Sequence, residues 1–553
     1  MDIKRPLNRA GTRPAQITSS TESYMKTTNH RRPLLLQSIL IACALSAALP
    51  AVAEVHLPKT FSDNMMMQRD LPVRIWGWAD AGEEVSATLG GMTASTKANN
   101  QGQWSLELPA LKEGDGLELT VKGTNNLTLK NILVGDIWVC SGQSNMEMSL
   151  KGCLGSSDDI KAANLPKIRR IKFNHVQSGM PELEAPIQSP WQVCSPETAG
   201  GFTAVGFYFA RDILQKTGVP IGIIDANWGG TPIEPWVAYE GLEQVVELKS
   251  ALTAKQEALK SYRANLPKFL TQMDSWLALT RANLASGAAL TPAPVMPAIP
   301  DAGWSGMYNA MINPLVRSPI KGALWYQGES NGGEGESYYD KMRALIGGWR
   351  KIWGQGDFPF YYVQLANFQG VTEDPAGGNG WAKHREAQTK SLSVSNTGMA
   401  VIIDTVPLSQ ANDIHPKNKF DVGMRLARWA LAKDYGKKDL EVSGPLFKAL
   451  KIDGGKARLA FNHLGSGLMI GKKEGKAPAV EDKEGKLKRF AIAGADKKWF
   501  WADAVIENDA VVVSSPDVKE PVAVRYAFSM NPDGANLYNR DGLPAGPFRT
   551  DAW

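Results

Sequence analysis

Ser144 occupies a position where a serine could act as a nucleophile. The segment 139–146 reads VCSGQSNM, so the serine ends an apolar run, close to a glycine and at a point where a helix could begin. A serine hydroxyl needs a base to take its proton and N–H groups aimed at the oxyanion it creates. A corner between a strand and a helix supplies such N–H groups. The segment predicts acyl transfer at Ser144, with a polar turn in which Ser144 caps a helix as the alternative.

His415 is the histidine whose neighbours suit a general base, the role that histidine fills most often near neutral pH. It follows Asp413 by two positions and precedes Pro416. In an extended segment residues i and i+2 point the same way, so Asp413 could hold the imidazole while it faces Ser144. An acidic turn before a helix is the alternative. The other histidines after residue 53 are interpreted as packing, solvated or helix-opening residues: His56, His175, His384 and His463.

Alternating elements between residues 131 and 438 are needed to bring these side chains together. The apolar run 132–140 has the composition of a parallel strand buried on both faces, which places Ser144 at the carboxyl end of a sheet. Repeated strand and helix units predict a doubly wound, mostly parallel α/β sheet. The further strands are predicted at 221–225, 323–327, 360–365 and 399–404, and the helices at 204–216, 338–353, 381–391 and 419–435.

β-rich regions flank this α/β region. Short alternating runs over 54–130 predict an N-terminal β-sandwich domain, and similar runs over 439–553 predict a C-terminal β domain. An insertion at about 239–303 has helical spacing followed by a segment rich in proline and alanine, and a helical hairpin is predicted there. It could serve as a lid, a partner surface or plain decoration of the fold.

Four motifs occur in a fixed order and together carry a resemblance. They read GQSN at 142–145, NWGGT at 227–231, WYQGESN at 325–331 and DIHP at 413–416. This pattern resembles the SGNH-hydrolase superfamily, and most closely its sialate O-acetylesterase branch of carbohydrate esterases, over most of residues 55–550. The resemblance implies an SGNH-like esterase domain over 131–438 and a reaction that needs no metal and no cofactor.

The resemblance also implies an oxyanion hole. It assigns one backbone N–H to the second motif, where Gly229 or Gly230 lets the backbone approach a ligand closely. The third motif of the superfamily offers an asparagine amide, and Gln327 stands at that place here. The superfamily spacing Asp-x-x-His is replaced by Asp413-Ile414-His415, which leaves the acid open. Asp404, or a backbone carbonyl in a Ser–His dyad, could orient His415 instead.

Three more residues are candidates for substrate binding. Trp228 could stack on a sugar face, as aromatic residues near a carbohydrate site do, or belong to the core. Arg385 is the cation that the resemblance favours for the carboxylate of a sialic acid. Glu329 is expected to brace its loop rather than react.

Ser330 offers a competing nucleophile. The segment 328–332 reads GESNG, which matches the Gly-x-Ser-x-Gly turn of α/β-hydrolases and also follows a predicted strand. That turn enters a helix at once, whereas glycines and acids delay the predicted helix here to about residue 338. Ser144 is therefore preferred.

The first 53 residues have the layout of a secretory signal, with Arg31 and Arg32 ahead of an apolar run and small residues before the expected cleavage after Ala53. Met25 begins an ordinary signal, so 1–24 could be an upstream extension. Periplasmic or secreted localisation follows. Cys43 lies in a lipoprotein-like box, which is the alternative.

Charge and hydropathy exclude several partner classes for the mature chain. The net charge of +5 comes from residues 1–53, since 54 basic and 54 acidic residues remain after them. The remaining chain therefore lacks the excess of positive charge that nucleic-acid binding requires. No later stretch is apolar enough to span a bilayer. Three cysteines remain; Cys140 is expected in the core, and Cys153 and Cys194 are either bridged or both free.

These features predict a secreted, serine-dependent carbohydrate O-acetylesterase acting on an O-acetylated glycan, above all O-acetylated sialic acids. An acetylxylan or other plant-glycan deacetylase with the same site is the nearer alternative. A non-catalytic glycan-binding protein is the more distant one. The acetyl position, the oligomeric state and the role of the insertion stay open.

Overall fold

The structure, a computed structural model, describes residues 54–297 and 303–553. The predicted secretory signal over 1–53, including the upstream extension 1–24 and Cys43, lies outside the described residues. Within the two described ranges, no helix combines the length and the apolar character that crossing a membrane requires.

The N-terminal region is built from six strands whose alternating residues face a shared interior. β2 and β5 pair as one antiparallel ribbon, while β3 pairs with both β4 and β6. The strands are β1 Met66–Gln68, β2 Val73–Trp78, β3 Glu84–Leu89, β4 Met92–Lys97, β5 Gln103–Leu108 and β6 Gly114–Lys122.

A 17-residue strand, β7 Asn126–Gly142, connects this region to the central sheet. Its first half pairs antiparallel with β6, and its second half pairs parallel with two strands of the central sheet. The first half alternates exposed and half-buried residues, whereas the second half is buried throughout. The domain boundary proposed between residues 130 and 131 therefore falls inside one continuous strand.

The central sheet is mostly parallel and has β7 in its middle. Its order is β13, β12, β11, β7, β10, β8, β9, with only the β8–β9 pair antiparallel. The chain thus moves to opposite sides of β7 in β10 and β11, a topological switch point where ligands bind. The strands are β8 Leu165–Phe173, β9 Ile187–Cys194, β10 Ile221–Asp225, β11 Gly322–Tyr326, β12 Phe360–Val363 and β13 Thr397–Ala400.

Helices cover both faces of this sheet. Trp138 and Cys140 pack into the cluster that holds α3 and α8, whereas Ile137 and Val139 pack into the cluster that holds α6, as the two-residue period of a strand requires. The predicted α/β class and mostly parallel sheet are confirmed. The helices are α1 Ser144–Glu147, α2 Ser156–Lys161, α3 Ala204–Thr217, α4 Tyr239–Leu242, α5 Lys249–Ser286, α6 Ser337–Trp353, α7 Gly380–Lys390 and α8 Lys419–Lys433.

Helix α5 differs from the predicted hairpin. It is a single 38-residue helix that continues through Pro267 and ends at Gly287 in the left-handed conformation. The segment has helical spacing and contains Pro267, a residue that can end or kink a helix, so its sequence is compatible with both one helix and a hairpin.

The C-terminal region is built from short antiparallel strands, with β14 and β15 paired over most of their length. The region also contacts the α/β part through α7, as described below. The strands are β14 Leu446–Asp453, β15 Lys456–Asn462, β16 Leu468–Lys472, β17 Val480–Glu481, β18 Phe490–Gly494, β19 Trp499–Trp501, β20 Asp503–Glu507, β21 Ala510–Ser514, β22 Pro521–Tyr526, β23 Leu537–Asn539 and β24 Phe548–Arg549.

Cys140, Cys153 and Cys194 are buried free thiols in this structure. Burial raises the pKa of Cys153 to about 11 and that of Cys194 to about 12, so both thiols are neutral near pH 7.

Candidate active site

The turn after β7 presents Ser144 at the carboxyl end of the sheet. Gly142 has φ +128°, and a Cβ there would lie 2.2 Å from the carbonyl oxygen of Tyr326 in the neighbouring strand β11. Only glycine fits this approach. The Gln143 N–H then donates to the same Tyr326 carbonyl at 3.0 Å, and α1 begins at Ser144. The turn leaves the Ser144 N–H at a helix N-terminus, where no intrahelical acceptor exists.

Ser144 and His415 meet across 271 positions of the sequence. The hydroxyl oxygen of Ser144 and Nε2 of His415 are 2.8 Å apart, a hydrogen-bond distance. His415 lies in the loop between β13 and α8, and Ser144 lies in the turn after β7. A neutral imidazole at this distance could accept the serine proton as the hydroxyl attacks a carbonyl carbon.

Asp413 lies on the far side of the imidazole. Its Oδ1 is 3.5 Å from Nδ1 of His415 and accepts the backbone N–H of His415 at 2.9 Å. Its Oδ2 lies 3.1 Å from Nζ of Lys417. Burial alone would raise the pKa of Asp413, but the His415 N–H and Lys417 outweigh it and lower the pKa below the usual value. Asp413 is therefore a carboxylate anion beside the imidazole of His415.

Asp404, the alternative acid, forms an ion pair with Arg425. Its two oxygens lie 2.6 and 2.7 Å from the guanidinium nitrogens of Arg425, and the Tyr538 hydroxyl donates to Oδ2 at 3.1 Å. The structure brings Asp413 to His415 and leaves Asp404 in a buried ion pair with α8.

The pKa of His415 is lowered. Burial is the largest cause, followed by the positive charge of Lys419, while Asp413 acts in the opposite direction. A lowered pKa keeps the imidazole neutral, which is the form that a general base requires.

The glycines after β10 lie beside the nucleophile. A Cβ on Gly229 would be 3.2 Å from Cβ of Ser144, so the two residues are in contact. The Gly229 N–H donates to Oε2 of Glu147 at 2.7 Å, however, and is occupied by that carboxylate. Gly230 has φ +75° and is exposed, and its N–H makes no hydrogen bond to any residue in the described ranges. Of the two, Gly230 has its N–H open to a ligand.

Gln327 braces loops in the structure. It is fully buried, its Nε2 donates to Asn331 Oδ1 at 2.7 Å and to the Thr231 carbonyl at 3.2 Å, and its Oε1 accepts the Tyr338 hydroxyl at 2.7 Å. These partners connect the loops after β10 and β11. The sequence-based role as an oxyanion donor has no support in this geometry, because the amide faces the protein interior.

Trp228, a predicted substrate-binding candidate, forms a cluster beside Ser144 with Glu147 and His175, two residues that the sequence analysis did not assign to the site. Oε1 of Glu147 lies 3.0 Å from Nε2 of His175, and the His175 ring stacks on Trp228 with 4.8 Å between centroids and 9° between planes. Trp228 and His175 are both partly accessible. Glu147 stands three positions after Ser144, one helical turn away, and this spacing was the signal available in the sequence.

Glu329 contacts the turn that carries Ser144. Its carboxyl group is enclosed, Oε1 accepts from the Asn145 amide, and burial raises its pKa. Asn145 in turn accepts from Nζ of Lys419. These contacts agree with a bracing role for Glu329 and keep its carboxyl group away from solvent.

Arg385 is fully buried and lies among carbonyl oxygens. Its guanidinium donates to Leu365, Ala366, Ser529 and Met530 at 2.6 to 3.1 Å. Burial lowers its pKa to about 9. These partners join α7 to the β12 loop and to the C-terminal region. The sequence-based role in binding a sialate carboxylate therefore lacks structural support, since the side chain is closed to ligands.

Ser330 makes no hydrogen bond to any histidine in the part of the chain that the structure describes. It follows β11 in the 3-10 turn Glu329–Asn331 and is exposed, and its backbone N–H donates to Gln143 Oε1 at 3.2 Å. Helix α6 begins only at Ser337. His415 contacts Ser144 instead.

The chain resembles known proteins over most of its length. The family model of carbohydrate esterases described as sialic acid-specific acetylesterases matches residues 134–266 and 299–432. The chain is also similar to a protein of known structure, described as a novel carbohydrate acetylesterase from Xanthomonas citri. The two sequences are 36% identical, and the structures superpose with a TM-score of 0.74. The match covers 90% of this chain and 100% of that chain.

Curated relatives carry the same family name. The sialate O-acetylesterase of Rattus norvegicus is 28% identical over 537 residues, which cover 88% of this chain and 93% of the relative. That of Homo sapiens is 28% identical over 559 residues, which cover 93% of this chain and 96% of the relative. The chain therefore belongs to the sialic acid-specific acetylesterase family of carbohydrate esterases.

Proposed function

We propose that this protein is a serine-dependent carbohydrate O-acetylesterase whose substrates are O-acetylated sialic acids. The observation that carries the proposal is the 2.8 Å contact between Ser144 Oγ and His415 Nε2 at the carboxyl end of a parallel sheet. The family membership supports the substrate class, since its named relatives are sialate and carbohydrate acetylesterases.

The reaction proceeds in two acyl transfers. Ser144 Oγ attacks the acetyl carbonyl carbon while His415 Nε2 takes the hydroxyl proton, and the protonated imidazole then gives this proton to the departing sugar oxygen. Water, deprotonated by His415, attacks the acetyl-serine, and the proton returns to Ser144 as acetate leaves. Asp413 stabilises the imidazolium in both steps.

Backbone N–H groups stabilise the oxyanion in this proposal. The Ser144 N–H at the start of α1 and the Gly230 N–H are the donors. Gly229 contributes its N–H only when Glu147 releases it. The residues need no metal or cofactor for these steps.

The sugar lies against the Glu147–His175–Trp228 cluster. The aromatic surface of Trp228 can pack against a sugar ring, and the Glu147 carboxylate and the His175 imidazole can bond sugar hydroxyls. An acetyl group is small, so this cluster supplies the selectivity that the reacting group cannot.

The proposal includes export. Residues 1–53 have the order of a secretory signal, which directs the mature chain to the periplasm or out of the cell. Tethering through Cys43 is the alternative. Mass spectrometry of the mature N-terminus distinguishes cleavage after Ala53 from a lipidated Cys43.

The test compares Ser144→Ala with Ser330→Ala on 4-nitrophenyl acetate and on an O-acetylated sialic acid. Ser144→Ala is expected to lose about 10³-fold or more in kcat, as loss of a nucleophile does. Ser330→Ala is the matched control and keeps wild-type turnover. Activity that survives in Ser144→Ala but not in Ser330→Ala contradicts the proposal. Acetate release from acetylated xylan but not from the sialic acid favours the plant-glycan alternative.

A further inference from the structure

Asn145, the residue after the nucleophile, holds three segments together. It is fully buried, and its Nδ2 donates to Oε1 of Glu329 and to the carbonyl of Ile414 at 3.0 Å, while its Oδ1 accepts from Nζ of Lys419. A lysine ammonium can only donate and a carbonyl can only accept, so these partners fix the orientation of the amide. Asn145 thus connects the nucleophile turn to the residue directly before His415.

Lys419 is an unusual partner for this amide. It is the first residue of α8, it is fully buried, and its Nζ lies 4.9 Å from the centre of the Tyr326 ring. Burial of a cation costs free energy, and a positive charge at the start of a helix opposes the helix dipole. Burial also lowers the pKa of Lys419 to about 7. Neither helix propensity nor solvation accounts for a lysine at this position.

The charges around His415 come from several elements. Asp413 and Lys417 lie on its own loop, and Lys419 lies on α8. Glu329 lies on the loop after β11 and is connected to this group by its hydrogen bond with Asn145. The carboxyl group of Glu147 comes from α1 and reaches the Gly229 side of Ser144. The thiol of Cys153, near Lys419, is neutral because burial raises its pKa to about 11.

Lys419 opposes protonation of His415 more directly than its neighbours do. It is the charged group with the largest effect on the pKa of His415, which it lowers, and only burial contributes more. Lys417 acts in the same direction, but it is partly exposed and lies against Asp413, so solvent and that carboxylate screen its charge.

We propose that Lys419 is a positioning residue for ester hydrolysis, which holds Asn145 between the nucleophile turn and the His415 loop. The inference rests on the proposed function, since it assigns Lys419 a role in the Ser144–His415 reaction. Asn145 acts through the distance between Ser144 and His415, and Lys419 acts through both that distance and the electrostatic potential at the imidazole.

Four variants separate the two effects, with kcat/KM for 4-nitrophenyl acetate measured from pH 4.5 to 8.5. Lys419→Met removes the charge at similar length and is expected to move the acid limb to higher pH as well as to lower the plateau. Asn145→Ala keeps the charge and is expected to lower the plateau about tenfold or more, with the acid limb at the wild-type position. Lys419→Arg keeps the positive charge and is expected to have its acid limb at the wild-type pH. Lys433→Met, at the exposed end of the same helix, is the matched control and behaves as wild type.

The outcomes distinguish this inference from the proposed function. A Lys419→Met enzyme whose acid limb coincides with that of wild type overturns the electrostatic role, and an Asn145→Ala enzyme with wild-type kcat overturns the positioning role. If Lys419→Met does not fold, as judged by circular dichroism, Lys419→Gln takes its place as the variant without the charge, and Asn145→Ala decides the positioning role. Wild-type protein that does not hydrolyse the ester, or Ser144→Ala protein that does, overturns the proposed function instead.

Discussion

The Gly229 N–H is held by the carboxylate of Glu147 at 2.7 Å, one helical turn after the nucleophile. A negative charge therefore occupies a backbone donor next to the atom that would attack an ester. The contact fastens the loop after β10 to α1. In the proposed mechanism the oxyanion is therefore bound by the N–H groups of Gly230 and Ser144.

Glu147→Ala is expected to lower kcat/KM for 4-nitrophenyl acetate about tenfold, because the loop that carries Gly230 loses its attachment to α1. Glu147→Gln keeps an oxygen that can accept the Gly229 N–H and is expected to lose much less. Steady-state kinetics of both variants decide the point. Equal activity of Glu147→Ala and wild type would show that the contact has no part in positioning the loop.

Trp228→Ala is expected to raise KM about fivefold for an acetylated glycan, more than for 4-nitrophenyl acetate, because the sugar loses its aromatic contact. Trp501→Ala is the matched control, since Trp501 is exposed on β19. A rise in KM with Trp501→Ala but not with Trp228→Ala would place glycan binding in the C-terminal region instead.

The acid limb of kcat/KM is expected below pH 6.5, the ordinary pKa of histidine, because His415 has a lowered pKa and must be neutral to act as the base. Activity is therefore lost only as the pH falls through that lowered value. Asp413→Asn removes the group that raises the pKa of His415 and moves the limb further down, with a loss of about 10- to 100-fold at the plateau. This loss is below that of a fully buried triad acid because the Asp413 side chain is 39% exposed. Wild-type activity in Asp413→Asn would show that a group other than Asp413 orients His415.

Arg385→Lys is expected to lower the free energy of unfolding by about 2 kcal/mol or more, since a lysine ammonium cannot reach the carbonyls that the guanidinium holds. Urea unfolding measures this, with Arg263→Lys on the exposed surface of α5 as the control. The KM for an O-acetylated sialic acid is expected to stay at the wild-type value. A raised KM in a stable Arg385→Lys enzyme would show that Arg385 takes part in substrate binding.

The parts of this site that depend on strand order could be predicted from the sequence. The run at 221–225 forms a strand with those bounds, and the motifs after consecutive parallel strands converge because the strands end at one edge. The meeting of Ser144 and His415 follows from that arrangement and from the residue types. Strand β8 was missed because its sequence, LPKIRRIKF, carries four basic residues.

The parts that depend on contacts between loops could not be predicted. Gln327 and Arg385 have side chains suited to ligand binding, and only their neighbours in space show that they are enclosed. The partner of the Gly229 N–H lies 82 positions away, and no local pattern identifies it. A helix through Pro267 is disfavoured by propensity and is visible only in the structure.

Labelling with a fluorophosphonate, followed by peptide mass spectrometry, identifies the nucleophile of this protein. We expect one covalent adduct, on Ser144, with labelling that is lost in His415→Ala because the hydroxyl then has no base. An adduct on Ser330, or Ser144 labelling that is unaffected by His415→Ala, would contradict this expectation.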